Sequence, residues 1–381
     1  MNRIQLFAPQ FHVEECLAEI RQCLDAGWTG IGFKTNQFEN AWKKHTGLPF
    51  AYFLNSNTTG LHLALRIFKD DLGWQDGDEV ITTPLTFVST NHAILYERLR
   101  PVFADVDETL CLSPHSIEQR ITPRTRAVMF VGMAGNTGRL KDIMEICKER
   151  DLKLILDAAH MAGTYYQKKH VGHGIDCTVF SFQAVKNLPS ADSGMICFRD
   201  EALDARVRME GWLGIDKDTF LRSGTDSERG NYKWEYNVPH VGLKAHGNSV
   251  IAAICLVQLK YLEEDNKRRR EICKIYECWL GANKRIRFSF YMADCLPSRH
   301  LFQIRVSETC RNKLILFLNE HDIFPGVHYR VNSEYPMYQY ALGTCPNAEK
   351  ASREVVSLPL HLRLKDEEVV YVSEKILEFL K

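Results

Sequence analysis

Between Ala51 and Phe198 the chain alternates between two patterns of apolar spacing. Short runs rich in β-branched and aromatic residues (AYFLNS, EVITTPLTF, PVFADV, RAVMFVGM, KLILDAAH, CTVFSF and GMICF) predict strands. Between them lie stretches with helical periodicity. Leu61, Leu65 and Phe68 share one face of TTGLHLALRIFKD, a second helix is expected around Asn91 to Tyr96, and LKDIMEICKERD is amphipathic. A run as continuously apolar as RAVMFVGM suits a strand covered on both faces. Strands of that kind separated by helices predict a mostly parallel sheet in an α/β layer fold.

From Glu201 onward the pattern changes. EALDARVRMEGW predicts a helix, followed by the polar but aromatic-containing SGTDSERGNYKWEYN. A long helix is expected from Gly247 to Leu280, carrying the basic cluster Lys267, Arg268, Arg269 and Arg270. The strand LFQIRV and the helices RNKLILFLNEH and DEEVVYVSEKILEFL then suit a smaller α+β domain. A chain of 381 residues exceeds one small core. The expected division is a large α/β domain over 1–245, amino-terminal segment included, and a small α+β domain over 246–381.

Composition narrows the partners. Lys plus Arg and Asp plus Glu each number 48, so the formal net charge is zero. There is no broad basic face for nucleic acid, although a local basic pocket for a nucleotide diphosphate is compatible with this balance. The 12 cysteines are scattered, without a CxxC and without histidines at ligand spacing. They read as free thiols in a reducing compartment, with no metal site. The amino terminus lacks the pattern of a cleaved signal, and no window reaches the ~18 uninterrupted apolar residues of a membrane span. A soluble, cytoplasmic protein is expected, with no membrane partner.

The candidate chemistry sits at predicted strand ends. Asp157 closes KLILD, where open α/β sheets place ligands. By itself it is equally a turn carboxylate or a helix N-cap. The next strand carries Ser181 at its end and Lys186 just beyond, flanked by Phe180, Phe182, Val185 and Leu188. An apolar setting lowers a lysine pKa and favours the neutral amine nucleophile. A carboxylate and an amine at neighbouring strand ends form the pair that a pyridoxal cofactor needs, one for the pyridinium nitrogen and one to hold the aldehyde carbon as an imine. Ser56, Asn57, Thr58, Thr59 and Gly60 form a strand-to-helix turn, which is either a plain N-cap or, with the other two groups, a phosphate cup.

Four segments, NSNTTGLHLAL, TPLTFVSTNHAI, DAAHMAGTYYQKKHVGHGIDCTVFSFQAVKNLPSADSGMI and YNVPHVGLKAHGNSVIAAICLVQL, occur in the order and spacing of the DegT/DnrJ/EryC1/StrS sugar aminotransferases. The resemblance covers nearly the whole chain, from about Leu6 to Leu377. It implies the three-layer fold of the pyridoxal-phosphate-dependent transferases (fold type I), with pyridoxal 5′-phosphate as cofactor. It further implies Lys186 as the Schiff-base lysine and proton carrier, and Asp157 on the pyridine nitrogen. His160 would lie near the ring or its 3′-hydroxyl, and Phe87 would stack on the ring. Thr58, Thr59 and Ser181 would hold the phosphate. Asn237 matches an asparagine that reaches the cofactor phosphate of the neighbouring subunit, which implies a homodimer with shared sites. His328 and Tyr329 in GVHYRV match a segment that approaches the substrate, a role no better supported by the residues than a structural one. Lys34, Arg222 and Arg229 are candidate cations for a sugar nucleotide.

The implied reaction moves an amino group from an amino acid, usually glutamate, to a keto-sugar, usually nucleotide-linked. Two alternatives remain on the same fold. One is a keto-sugar dehydratase, against which the lysine argues because known dehydratases of the family carry histidine there. The other is a regulatory protein that binds the cofactor without turnover. One departure stands out: where many members read Gly-Glu-Gly-Gly after the lysine, this chain has Ala191, Asp192, Ser193 and Gly194. A turn of different shape is expected there.

Overall fold

Every predicted strand of the first half forms, and several stop short of the apolar run that predicts them. The computed structural model describes residues 3–216 and 236–381. The strands are β1 (Tyr52–Leu54), β2 (Glu79–Thr82), β3 (Arg100–Phe103), β4 (Thr125–Val131) and β5 (Lys153–Asp157). A short hairpin, β6 (Tyr165–Tyr166) and β7 (Lys169–His170), precedes β8 (Cys177–Ser181) and β9 (Gly194–Phe198). EVITTPLTF ends as a strand at Thr82 because Thr83 Oγ1 accepts the Leu85 N–H at 3.1 Å and turns the backbone away.

The central sheet has the order β1-β9-β8-β5-β4-β2-β3. The β8–β5, β5–β4, β4–β2 and β2–β3 pairs are parallel, whereas β9 runs antiparallel to both β1 and β8. Six strands therefore point one way, with β9 reversed. Alternation of side chains explains the two apolar faces. Val128, Phe130, Leu154, Leu156 and Phe180 enter one core, and their neighbours Ala127, Met129, Ile155 and Val179 enter another.

Helices cover both faces. The first core receives Phe38 and Trp42 of α2 (Phe33–Thr46), Leu140 and Ile143 of α6 (Leu140–Glu149), and Ala252 and Leu262 of α8 (Ser249–Leu280). The second receives Leu61, Leu65 and Phe68 of α3 (Asn57–Leu72), Ala93 and Ile94 of α4 (Val88–Tyr96), and Val207 of α7 (Glu201–Glu210). The helices α1 (Val13–Asp25) and α5 (Pro114–Glu118) complete the first part of the chain.

A third core lies at the far end of α8, around Ile272, Tyr276 and Leu280. They pack with β12 (Phe302–Arg305), β13 (Val355–Leu358), α9 (Glu308–Glu320) and α11 (Asp366–Phe379). A small antiparallel sheet joins β10 (Arg287–Phe288), β12 and β13, while β11 (Cys295–Leu296) pairs with β6. The chain passes between these cores at other points as well. Ile4 belongs to the third, and Ala348 and Ala351 of α10 (Pro346–Glu354) belong to the first. Among the described residues no helix is long and apolar enough to cross a membrane.

Candidate active site

The carboxyl ends of β1, β2, β5 and β8 all face the same edge of the sheet. The segments leaving these strands build one pocket at that edge. After β1 comes the start of α3, with Asn57 and Thr58. After β2 comes Phe87 at the start of α4, with Thr90 one turn further. Asp157 ends β5, Ser181 ends β8, and the loop from β8 to β9 carries Lys186. His300, His328 and Tyr329 close the pocket from the second part of the chain.

Asp157 is 3% exposed. Its Oδ1 accepts hydrogen bonds from Asn57 Nδ2 and from the Ala159 N–H, both at 3.2 Å, and its Oδ2 accepts one from Thr90 Oγ1 at 2.8 Å. Burial still raises its pKa above the ordinary carboxylate value, an effect that Thr90, Ala159, Lys186 and Asn57 only partly offset. The carboxylate therefore has an unmet demand for a cation, which a protonated ring nitrogen would answer. Lys186 shows the matching effect. Burial pulls its amine down to about 8, with the attraction of Asp157 opposing. These two groups fit a pyridoxal cofactor by their chemistry.

The turn expected to hold the phosphate is built as an N-cap. Ser56 Oγ accepts the Thr59 N–H at 3.1 Å, and the two hydroxyls lie 2.8 Å apart. Thr59 is thereby turned to the cap and does not line the pocket, whereas Thr58 and Ser181 are among the hydroxyl residues that do. The first N–H groups of a helix have no intrahelical acceptor, so the start of α3 offers an anion site beside them. Gly194 is held by close approach and not by backbone freedom: a Cβ there would lie 2.7 Å from Asn57 N and 2.8 Å from Phe180 O. Ala191, Asp192 and Ser193 are not among the residues with positive φ, so the altered turn uses ordinary backbone. Asp192 and Ser193 line the pocket.

His160 lies beside Tyr329. Its Nδ1 accepts the Ala134 N–H at 3.3 Å, and its Nε2 is 3.1 Å from Tyr329 Oη. Burial, with the charge of Lys186 adding, keeps this imidazole well below its usual pKa, so it is neutral with its proton on Nε2. Tyr329 Oη therefore accepts, and its own proton is left for a group in the pocket. His328 Nδ1 lies 2.9 Å from Ser357 Oγ, and burial lowers its pKa to about 4. Phe87 lines the pocket but is 60% exposed, its ring 6.1 Å from that of Tyr329.

Two expected residues lie apart from these. Asn237 is exposed and absent from the pocket of its own chain; its side-chain oxygen accepts the Val238 N–H at 3.0 Å. Lys34 is buried in an ion pair with Glu19 and also donates to Gln22 at 2.8 Å. Arg222 and Arg229 lie outside the described residues. Thr90 and His300, by contrast, join the site although the sequence does not single them out, and Asn57, expected only as part of the phosphate cup, bonds Asp157. Thr90 stands three residues after Phe87 in TPLTFVSTNHAI, so its position in the first turn of α4 was the available signal.

A model of the DegT/DnrJ/EryC1/StrS aminotransferase family matches residues 11–377. The spore coat polysaccharide biosynthesis protein SpsC of Bacillus subtilis is 34% identical over 378 residues, 97% of this chain and 95% of that protein. Among solved structures, the aminotransferase TlmJ from Streptoalloteichus hindustanus has a TM-score of 0.91 at 31% identity, covering 100% of this chain and 99% of that one. Helicobacter pylori PseC, an aminotransferase involved in the biosynthesis of pseudoaminic acid, has a TM-score of 0.90 at 26% identity, with 99% of each chain covered.

Proposed function

Because the chain belongs to the DegT/DnrJ/EryC1/StrS aminotransferase family, we propose that it aminates a nucleotide-linked keto-sugar with L-glutamate as donor, in amino-sugar biosynthesis for a surface polysaccharide or a secondary metabolite. Enzymes of this family use pyridoxal phosphate. The observation that carries the proposal is the meeting of Asp157 and Lys186, from two neighbouring strand ends, in one pocket.

When bound, the cofactor supplies an aldehyde that condenses with amines and a ring that takes up the electron pair released at the amino-bearing carbon. The residues do the rest. Asp157 holds a proton at the ring nitrogen, and its own carboxylate is held in place by Asn57 and Thr90. The Lys186 amine holds the cofactor and, once displaced, takes and returns the proton at the substrate carbon. Its lowered pKa suits that exchange near neutral pH. Thr58, Ser181 and the start of α3 hold the phosphate. Asn237, exposed and away from its own pocket, is available to a second copy of the chain, and a homodimer with shared sites is part of this reading. Twelve free thiols favour the cytoplasm as its compartment.

Borohydride reduction of the loaded protein followed by peptide mapping tests the lysine: the label is expected on Lys186 and absent from Lys186→Ala. With unreduced wild type, glutamate should shift the visible absorbance and release 2-oxoglutarate, and a panel of nucleotide-linked keto-sugars should restore it. A spectrum that no amino donor moves would exclude transamination and favour the regulatory alternative. Loss of the sugar oxygen without amine transfer would favour the dehydratase.

A further inference from the structure

Directly after Lys186, Asn187 is buried and fully bonded. Its Nδ2 donates to Ser298 O at 2.8 Å and to Asn266 Oδ1 at 2.6 Å. The Ser298 carbonyl can only accept, so the amide orientation is fixed and Asn187 Oδ1 must be the acceptor of its remaining bond. That bond, at 3.0 Å, comes from Nδ1 of buried His300. Asn266 is fixed in the same way, because its Nδ2 donates to Ala162 O at 2.9 Å. Every group in this chain of bonds thus has one permitted role.

The consequence falls on the other imidazole nitrogen. With Nδ1 protonated and the ring held neutral by burial and by the nearby His160 and Lys186, Nε2 carries a bare lone pair. It has no protein hydrogen bond among the described residues, and the ring forms part of the wall of the Lys186 pocket. His160, at 4.4 Å between ring centroids, is held in the opposite tautomer. The pocket therefore offers one imidazole N–H already engaged by Tyr329 and one imidazole acceptor still open.

We propose that His300 is a substrate-binding residue, accepting at Nε2 a hydrogen bond from a hydroxyl of the keto-sugar, and that Asn187 is the residue that positions it. This rests on the sugar aminotransferase reading above. A keto-sugar brings hydroxyls next to its carbonyl, whereas the amino donor brings a single nitrogen, which is itself the reacting atom. A standing acceptor matches the sugar.

Two variants separate the two nitrogens. In His300→Asn the side-chain amide reproduces the Nδ1 donor to Asn187 and removes the open acceptor. In His300→Gln the amide oxygen can stand in for Nε2. His300→Asn should raise KM for the keto-sugar about three- to tenfold, the worth of one hydrogen bond, and leave the half-reaction with glutamate unchanged. His300→Gln should recover part of that loss. Unchanged kinetics in His300→Asn, or an effect confined to glutamate, overturns the assignment.

Nitrogen NMR of protein labelled at histidine gives a readout that needs no turnover. His300 should show a directly bonded proton on Nδ1 and none on Nε2, with both nitrogens partly protonated in Asn187→Ala. A proton found on Nε2 in the wild type overturns the proposal. If no keto-sugar is aminated while the NMR result holds, the functional reading fails and the tautomer stands.

Discussion

Thr90 donates its hydroxyl proton to Asp157 Oδ2 at 2.8 Å, across 67 residues of sequence. Thr90→Val keeps the shape and removes the bond. A hydrogen bond to a charged group contributes about 1.5–3 kcal/mol, so cofactor binding is expected to weaken about tenfold or more. Titration of the cofactor-free protein with pyridoxal phosphate measures this. Thr90→Ser should bind as the wild type does.

The low pKa of Lys186 predicts a pH dependence for cofactor capture. Only the neutral amine attacks an aldehyde, so the capture rate should rise with pH and level off above about 8. A midpoint near 10.5, the ordinary lysine value, would show that burial does not act on this amine. Linkage gives a second sign. Between about 8 and 10.5 the unfolded chain holds the proton that the folded one has lost, so this group makes the cofactor-free protein more stable as pH rises through that window.

Buried histidines set the acid limit. His160 and His300 lie well below 6.5, His328 at about 4 and His170 at about 3, in each case chiefly through burial. Their unfolded counterparts take up protons first as the pH falls below 6.5. The stability they contribute is therefore complete above 6.5 and lost on the way down to about 4. Asp157, raised by burial, acts in the opposite sense within the carboxylate range. A Tm series from neutral pH to about 4 should fall steadily, and His170→Asn should flatten part of the slope.

Gly194→Ala should damage the phosphate turn from a distance in sequence. Its Cβ would press on Asn57 N at 2.7 Å and on the Ser56 carbonyl carbon at 2.7 Å, both backbone atoms that cannot swing aside. Overpacking of this kind costs about 1–3 kcal/mol. Denaturant unfolding should register the loss, together with weaker phosphate retention. Ser193→Gly, at a position without positive φ, should cost far less.

The strand ends were legible because β4, β5 and β8 are buried on both faces and write themselves as continuous apolar runs. Asp157, Ser181 and Lys186 stand out as interruptions of those runs. Thr58 was legible from the turn that opens α3, but the turning of Thr59 away from the pocket was not, since it depends on which hydroxyl pairs with Ser56. The bonds that place Asn57, Thr90, Asn187 and His300 could not be read. Their partners lie 67 to 113 residues away, and an asparagine or threonine carries no periodic signal of its own. The far wall of the pocket is hidden for a related reason: His160 and Tyr329 meet across 169 residues.

Helix α8 runs unbroken for 32 residues, with Ala252 and Leu262 in the first core and Ile272, Tyr276 and Leu280 in the third. One beam thus carries residues of two separate cores. A cut anywhere within it would leave each piece with half an amphipathic helix and an uncovered apolar face. The carboxy-terminal lobe is therefore not a cassette that recombination could lift out whole. Change in the pocket is left to substitution along its wall, residue by residue, at positions such as Asp192, His300 and Tyr329.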